Sequence, residues 1–195
     1  MPSSRVLAQA LVLAAVAVTP AIAADSRGGT EHSVDPQTGI ETWQLHDAGV
    51  DIALIQISPD QARGFFLARG FQRADVDYYA ASCVFATVVK NHSSSPVSYR
   101  LADWRYTMEN DRTARKIKSK DAWLREWKQR GVSKKARIAF EWSQHPTEQA
   151  LEPDDWNQGM TTFQVPHGRR MNLTVKWSSG GKVYADTMEG VRCAK

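Results

Sequence analysis

TTFQVPHGRRMNLTVKWSSGGKVY, residues 161–184, decides the fold. Within it Met171, Leu173, Val175 and Trp177 alternate without a break against Asn172, Thr174 and Lys176. A period of two puts the apolar side chains on one face of a strand and the polar ones on the other. Thr161, Phe163 and Val165 make a shorter run of the same period, closed by a Pro166-His167-Gly168 turn. Ser178-Ser179-Gly180-Gly181 then leads tightly into a last strand from Lys182 to about Met188.

The pattern extends toward the N-terminus. Cys83, Phe85, Thr87 and Val89 point one way while Val84, Ala86 and Val88 point the other, so both faces suit a central strand buried on two sides. After an Asn91–Pro96 loop, Val97, Tyr99 and Leu101 share a face. Trp104 and Tyr106 have the opposite parity, and a bulge near Ala102-Asp103 would turn both groups inward. Ala136, Ile138, Phe140 and Trp142 alternate against Arg137, Ala139 and Glu141 and read as a further strand. Trp43 and Leu45, a turn at Asp47-Ala48-Gly49 and the run Val50–Ile57 form a hairpin. About eight strands with short turns, and no repeated strand–helix alternation, predict a mainly β chain folded as a single antiparallel sandwich over residues 40–195.

One or two short helices interrupt it. Ser58-Pro59-Asp60-Gln61 offers a cap, a proline at the first helical position and a glutamine three residues after the cap, and Gly70 offers a stop. A strand through Phe65, Leu67 and Phe71 is the competing reading. A second helix runs from a Ser119 cap to Gly131, with an apolar stripe of Trp123, Leu124 and Trp127 and i,i+4 pairs Asp121–Arg125 and Glu126–Arg130. Trp123 and Trp127 have the spacing of residues packed on a core.

At the start of the chain, Arg5, the apolar run Val6–Val18, Pro20 and Ala21-Ile22-Ala23 have the order of a secretory signal peptide over residues 1–24. The run is shorter than the ~20 residues of a spanning helix. Residues 25–39, rich in Gly, Pro, Asp and Ser, read as a flexible leader. The expected location is periplasmic or secreted, and in such a compartment Cys83 and Cys193 should form a disulfide.

Two segments, VVKNHSSSPVSYRLADWRYTMEND at 88–111 and GMTTFQVPHGRRMNLTVKWSSGGKVY at 159–184, together resemble bacterial secreted immunoglobulin-like, or telokin-like, β-sandwiches. The resemblance implies an immunoglobulin-like frame used for binding or assembly, with no catalytic residue to carry over. The Trp-bearing helix and the acidic loop fall between the two segments, where a particular activity would reside.

Charge singles out the same insertion. From Arg112 to Arg137 there are eleven Lys or Arg against Asp121 and Glu126, whereas Ile138–Gly168 holds no Lys or Arg at all. Arg112, Arg115, Lys116, Lys118, Lys120, Lys128, Lys134 and Lys135 are the candidate contacts for an acidic protein or anionic envelope partner. The formal charge of +4 is too small, and the compartment wrong, for nucleic acid. No G-x-S-x-G, H-E-x-x-H, C-x-x-C or Gly-rich phosphate cradle is present, so no enzyme and no cofactor is expected. The acidic run Glu152–Gly159 lacks the ligand spacing of a calcium loop and reads as turn material that could serve self-association or pair with the basic stretch. The alternative function is copper carriage by His92, His145, His167 and Met160, residue types that suit copper but are not closely spaced here.

Overall fold

The computed structural model describes residues 29–195, so the expected signal peptide lies outside the described residues. Along the chain, β1 (Gly29–Val34), β2 (Glu41–Asp47) and β3 (Val50–Ile57) precede α1 (Pro59–Leu67) and α2 (Arg73–Ala80). Then β4 (Cys83–Asn91), β5 (Val97–Arg100), β6 (Arg105–Met108) and β7 (Asp111–Lys116) lead to α3 (Lys120–Gln129) and α4 (Lys134–Ser143). β8 (Glu148–Leu151), β9 (Trp156–Phe163), β10 (Arg170–Ser179) and β11 (Lys182–Arg192) follow.

The strands form two antiparallel sheets. The first runs β1-β2-β3-β4-β9. In the second β10 is the hub, with β11 along one flank and β6 and β5 sharing the other; β7 and β8 lie outside those two. The long alternating strand singled out by sequence is this hub, with Leu173 opposite Tyr106 and Trp177 opposite Tyr99.

Where a bulge was expected, Leu101–Asp103 form a 3-10 turn between β5 and β6. The turn has the anticipated effect: Val97, Tyr99, Leu101, Trp104 and Tyr106 all enter one core with Trp43, Leu54, Phe85, Phe163 and Val175. Cys83 and Cys193 are disulfide-bonded, 110 residues apart in sequence. The bond ties β4 in the first sheet to the chain just beyond β11 in the second.

A third layer covers the outer face of the first sheet. Ala62 and Phe66 of α1, Val76 and Tyr79 of α2, Trp123 and Trp127 of α3, and Ala136 and Phe140 of α4 make a second apolar cluster, together with Val84 of β4. This explains why β4 reads as apolar on both faces: Cys83, Phe85 and Val89 face the sandwich, while Val84 faces the helices. Ser58 caps α1 with the full reciprocal box, and Gly70 follows it at φ +84°, so the helical reading of this segment holds over the strand alternative.

Three expectations are revised. Residues 136–142 are not a strand but the body of α4, whose cap Ser133 accepts from Ala136 N and whose buried side chains, Ala136 and Phe140, lie one turn apart. Among the described residues there are eleven strands and four α-helices rather than about eight and one or two. The leader expected from residue 25 is paired from Gly29 onward, with Glu31 opposite Gln44 in an edge strand whose residues are all exposed. Backbone hydrogen bonds, with His32 stacked on Trp43 and bonded to Glu41, hold this edge without an apolar run, so composition does not reveal it.

Candidate docking surface

α3 owes its position to its buried face. Ser119 accepts from Ala122 N at the start of the helix, and Trp123 Nε1 donates to Thr162 Oγ1 of β9 at 2.7 Å. Trp123 and Trp127 stack with centroids 5.1 Å apart. With both indoles committed to the core, the opposite face of α3 is left to polar and charged residues. α4 packs Ala136 and Phe140 on the same cluster and likewise turns Lys134, Lys135, Ile138 and Trp142 outward.

The eight cations expected from sequence divide into three sets. Arg112, Arg115 and Lys116 lie on β7, an edge of the second sheet, where Arg115 pairs with Asp111 at 2.7 Å. Lys118 is a structural cation, pairing with Glu126 and sitting 3.3 Å from the Trp123 ring centroid. Burial pushes the Glu126 carboxyl upward, but hydrogen bonds from Lys118 and Tyr78 outweigh it and hold the group below its ordinary range. The expected Glu126–Arg130 pair is absent, because Arg130 reaches across to Asp75 of α2 at 2.8 Å. Lys120, Lys128, Lys134 and Lys135 form the last set, on α3 and α4. Among the described residues none of these four forms an ion pair, and neither does Arg125.

Sequence reasoning missed the aromatic part of this surface. Trp142 is 85% exposed and Ile138, one turn earlier, is 46% exposed. Gln144, just past α4, bridges in parallel to Met160 of β9. Met160 packs against the helical cluster, and alternation along β9 puts Trp156, 59% exposed, on that same face. Assigning residues 136–142 to a strand had turned Ile138 and Trp142 inward. Their intervals of four from Lys134 fit either period; the Ser133 cap just before it was the signal that could have found them.

The copper donors are not brought together. His92 Nε2 meets Asp51 at 2.8 Å, and His167 lies between the carbonyls of Ala194 and Ala80, 2.9 Å from each. His145 is 1% exposed, with Nε2 2.9 Å from the Tyr99 hydroxyl. Burial lowers its pKa to about 4. Among the described residues no group of three His, Cys, Asp or Glu is arranged to hold a metal ion. The acidic run does not pair with the basic stretch; it turns on itself, Asp155 accepting from Glu152 N at 3.1 Å.

Three grooves lie elsewhere on the surface. One of about 360 Å³ on the outer face of the second sheet is walled by Arg100, Asp103, Glu148, Lys176 and Val183. Another of about 360 Å³ lies among Thr30, His32, Trp43, Asp186 and Glu189. The third, of about 170 Å³, is bounded by Gln44, His46, Asp51 and Lys90. None of them includes a residue of α3 or α4.

No protein-family model matches the chain, and no curated protein or solved structure does either. Among the described residues no helix is long and apolar enough to cross a membrane.

Proposed function

We propose that this chain is an exported, non-catalytic binding module that recognises an acidic envelope partner through the outer face of α3 and α4. The observation carrying the reading is the set of five cations, Lys120, Arg125, Lys128, Lys134 and Lys135, on two adjacent helices and without an ion pair among the described residues. Lys134 and Lys135 are the most telling of them. They occupy the first turn of α4, where no acid accompanies them and where the helix dipole disfavours positive charge. Their placement costs the fold a few tenths of a kcal/mol each, in the range ~0.3–1. A ligand-facing role accounts for that cost.

The disulfide and the signal-like leader favour an oxidising compartment. The pairing of β3, β4 and β9 in one sheet, with β6, β10 and β11 in the other, supports an immunoglobulin-like strand order for the frame. Acetylation footprinting of the lysines with and without an envelope extract tests the docking face. Protection should concentrate on Lys120, Lys128, Lys134 and Lys135, and reversal of the last three to Glu should abolish protection at Lys120. Equal protection of Lys90, Lys176 and Lys182 would remove α3 and α4 as the binding face.

A further inference from the structure

The exposed edge of α4 carries more than charge. Lys134, Ile138 and Trp142 follow one another at intervals of four residues, so they form one stripe along the helix, with Lys135 beside it. The stripe lies opposite Ala136 and Phe140, which α4 needs for packing. Neither Ile138 nor Trp142 belongs to the buried cluster: Trp142 stands almost wholly in water and Ile138 about half so. Trp156 is exposed on the same side of the first sheet.

We propose that this stripe docks on the headgroup region of an anionic phospholipid bilayer, with Trp142 and Ile138 entering the interface and Lys134, Lys135 and Lys128 meeting the phosphates. The inference rests on the reading of α3 and α4 as a binding face and names its partner. Three observations favour a lipid surface over an acidic protein. An indole with an apolar body and a polar N–H suits the boundary between acyl chains and headgroups, where tryptophan concentrates. Lysine stems lie along apolar surface while their ammonium groups stay in the headgroup layer. Trp142 and Ile138 protrude, which a fluid interface accommodates, and the lysines beside them match its phosphates.

The test is co-sedimentation with vesicles of phosphatidylcholine alone and of phosphatidylcholine mixed with phosphatidylglycerol. It uses the protein in the form its own cells accumulate. Binding should require phosphatidylglycerol and weaken with added salt. Trp142→Ala should reduce partitioning about tenfold, roughly 1.4 kcal/mol of interfacial transfer. Lys134→Glu with Lys135→Glu should reduce it by at least about a hundredfold. Both sets of substitutions are exposed, and acids in the first turn of α4 favour the helix, so unfolding midpoints no lower than the parent's will show that the fold is intact. Lys176→Glu with Lys182→Glu, on the second sheet, should leave binding unchanged. An equal loss in that control, or full binding by the Trp142 variant, overturns the proposal. Absence of vesicle binding also overturns it; protection of the α3 and α4 lysines by an acidic protein would then leave the proposed function standing without the lipid.

Discussion

His145 should make this fold sensitive to mild acid. The imidazole is sealed between the two sheets, with Tyr99 stacked at a centroid distance of 5.6 Å. The Tyr99 hydroxyl lies 2.9 Å from both Asn157 Oδ1 and His145 Nε2. Nδ1 is buried without a well-formed hydrogen bond, and the nearby Thr87 backbone, which favours the protonated ring, offsets only part of the burial. Protonation would place a charge there, and none of the hydrogen-bond and stacking partners just named carries a carboxylate to balance it.

The folded pKa of about 4 lies below the ordinary 6.5. The unfolded chain therefore binds the proton first as pH falls. Stability is fully present above 6.5 and is lost as pH drops through the interval down to about 4. Integrating across that interval gives about 2 kcal/mol lost between pH 7 and pH 5, and ~3 kcal/mol by pH 4. Glu41 and Glu126 have lowered carboxyl pKa values and stay ionised over the upper part of this range, so they do not share the loss. Urea unfolding at pH 7, 6 and 5 would measure it, with a slope of 1–3 kcal/mol per molar turning ~2 kcal/mol into a midpoint shift of roughly 1 M. His145→Gln keeps a donor within reach of Tyr99 and removes the titration, so its midpoint should fall much less over the same range. Parallel pH curves for the two proteins would refute the reasoning.

Other substitutions test the frame. Cys83→Ala with Cys193→Ala opens a link spanning 110 residues and should lower unfolding free energy by about 5 kcal/mol on the chain-entropy account; a loss below ~1 kcal/mol in denaturant titration would contradict it. Thr162→Val leaves the buried Trp123 indole N–H without its acceptor and should cost ~1–3 kcal/mol by the same assay, with no change expected only if the indole finds a new partner. Gly159→Ala would set a methyl 2.2 Å from His145 N, closer than any contact can relax by rotamer change. Its cost should reach or exceed the ~3 kcal/mol upper end of overpacking, and a thermal midpoint within a few degrees of the parent would show that the crossing of residues 144–145 over β9 is looser than described.

The β framework was legible because its strands are buried on defined faces. Alternation in β4 and β10, the Ser58 capping box and the Cys83–Cys193 pairing all transfer directly from residues to structure. Charge was legible only as a total. Counting Lys and Arg between Arg112 and Arg137 cannot reveal that Lys118 is held by Glu126 and Trp123, or that Arg130 is held by Asp75, a residue 55 positions away. Those commitments depend on α2 and α3 packing side by side on one sheet. The surface left after they are made is smaller than the sequence count and sits on different elements.

α4 shows why the remainder was hidden, and the reason is arithmetic. Ala136 and Phe140 are four residues apart, an interval that fits both a strand of period two and a helix of period 3.6. The two readings differ only at Ile138 and Trp142, inward in a strand and outward in this helix. Propensity could not separate them over so short a run. The third layer separates them, since Val84 on the outer face of β4 and the aromatic side chains of α1 to α3 offer Phe140 a buried site that only a helix can fill while keeping Ser133 as its cap. Once Phe140 is placed there, Trp142 faces water and Ile138 lies half in it. A helix stabilised by Ala136 and Phe140 would fold as well with polar residues at both positions. The two apolar side chains are in excess of what the fold requires, and that excess directs the search for a partner to this edge.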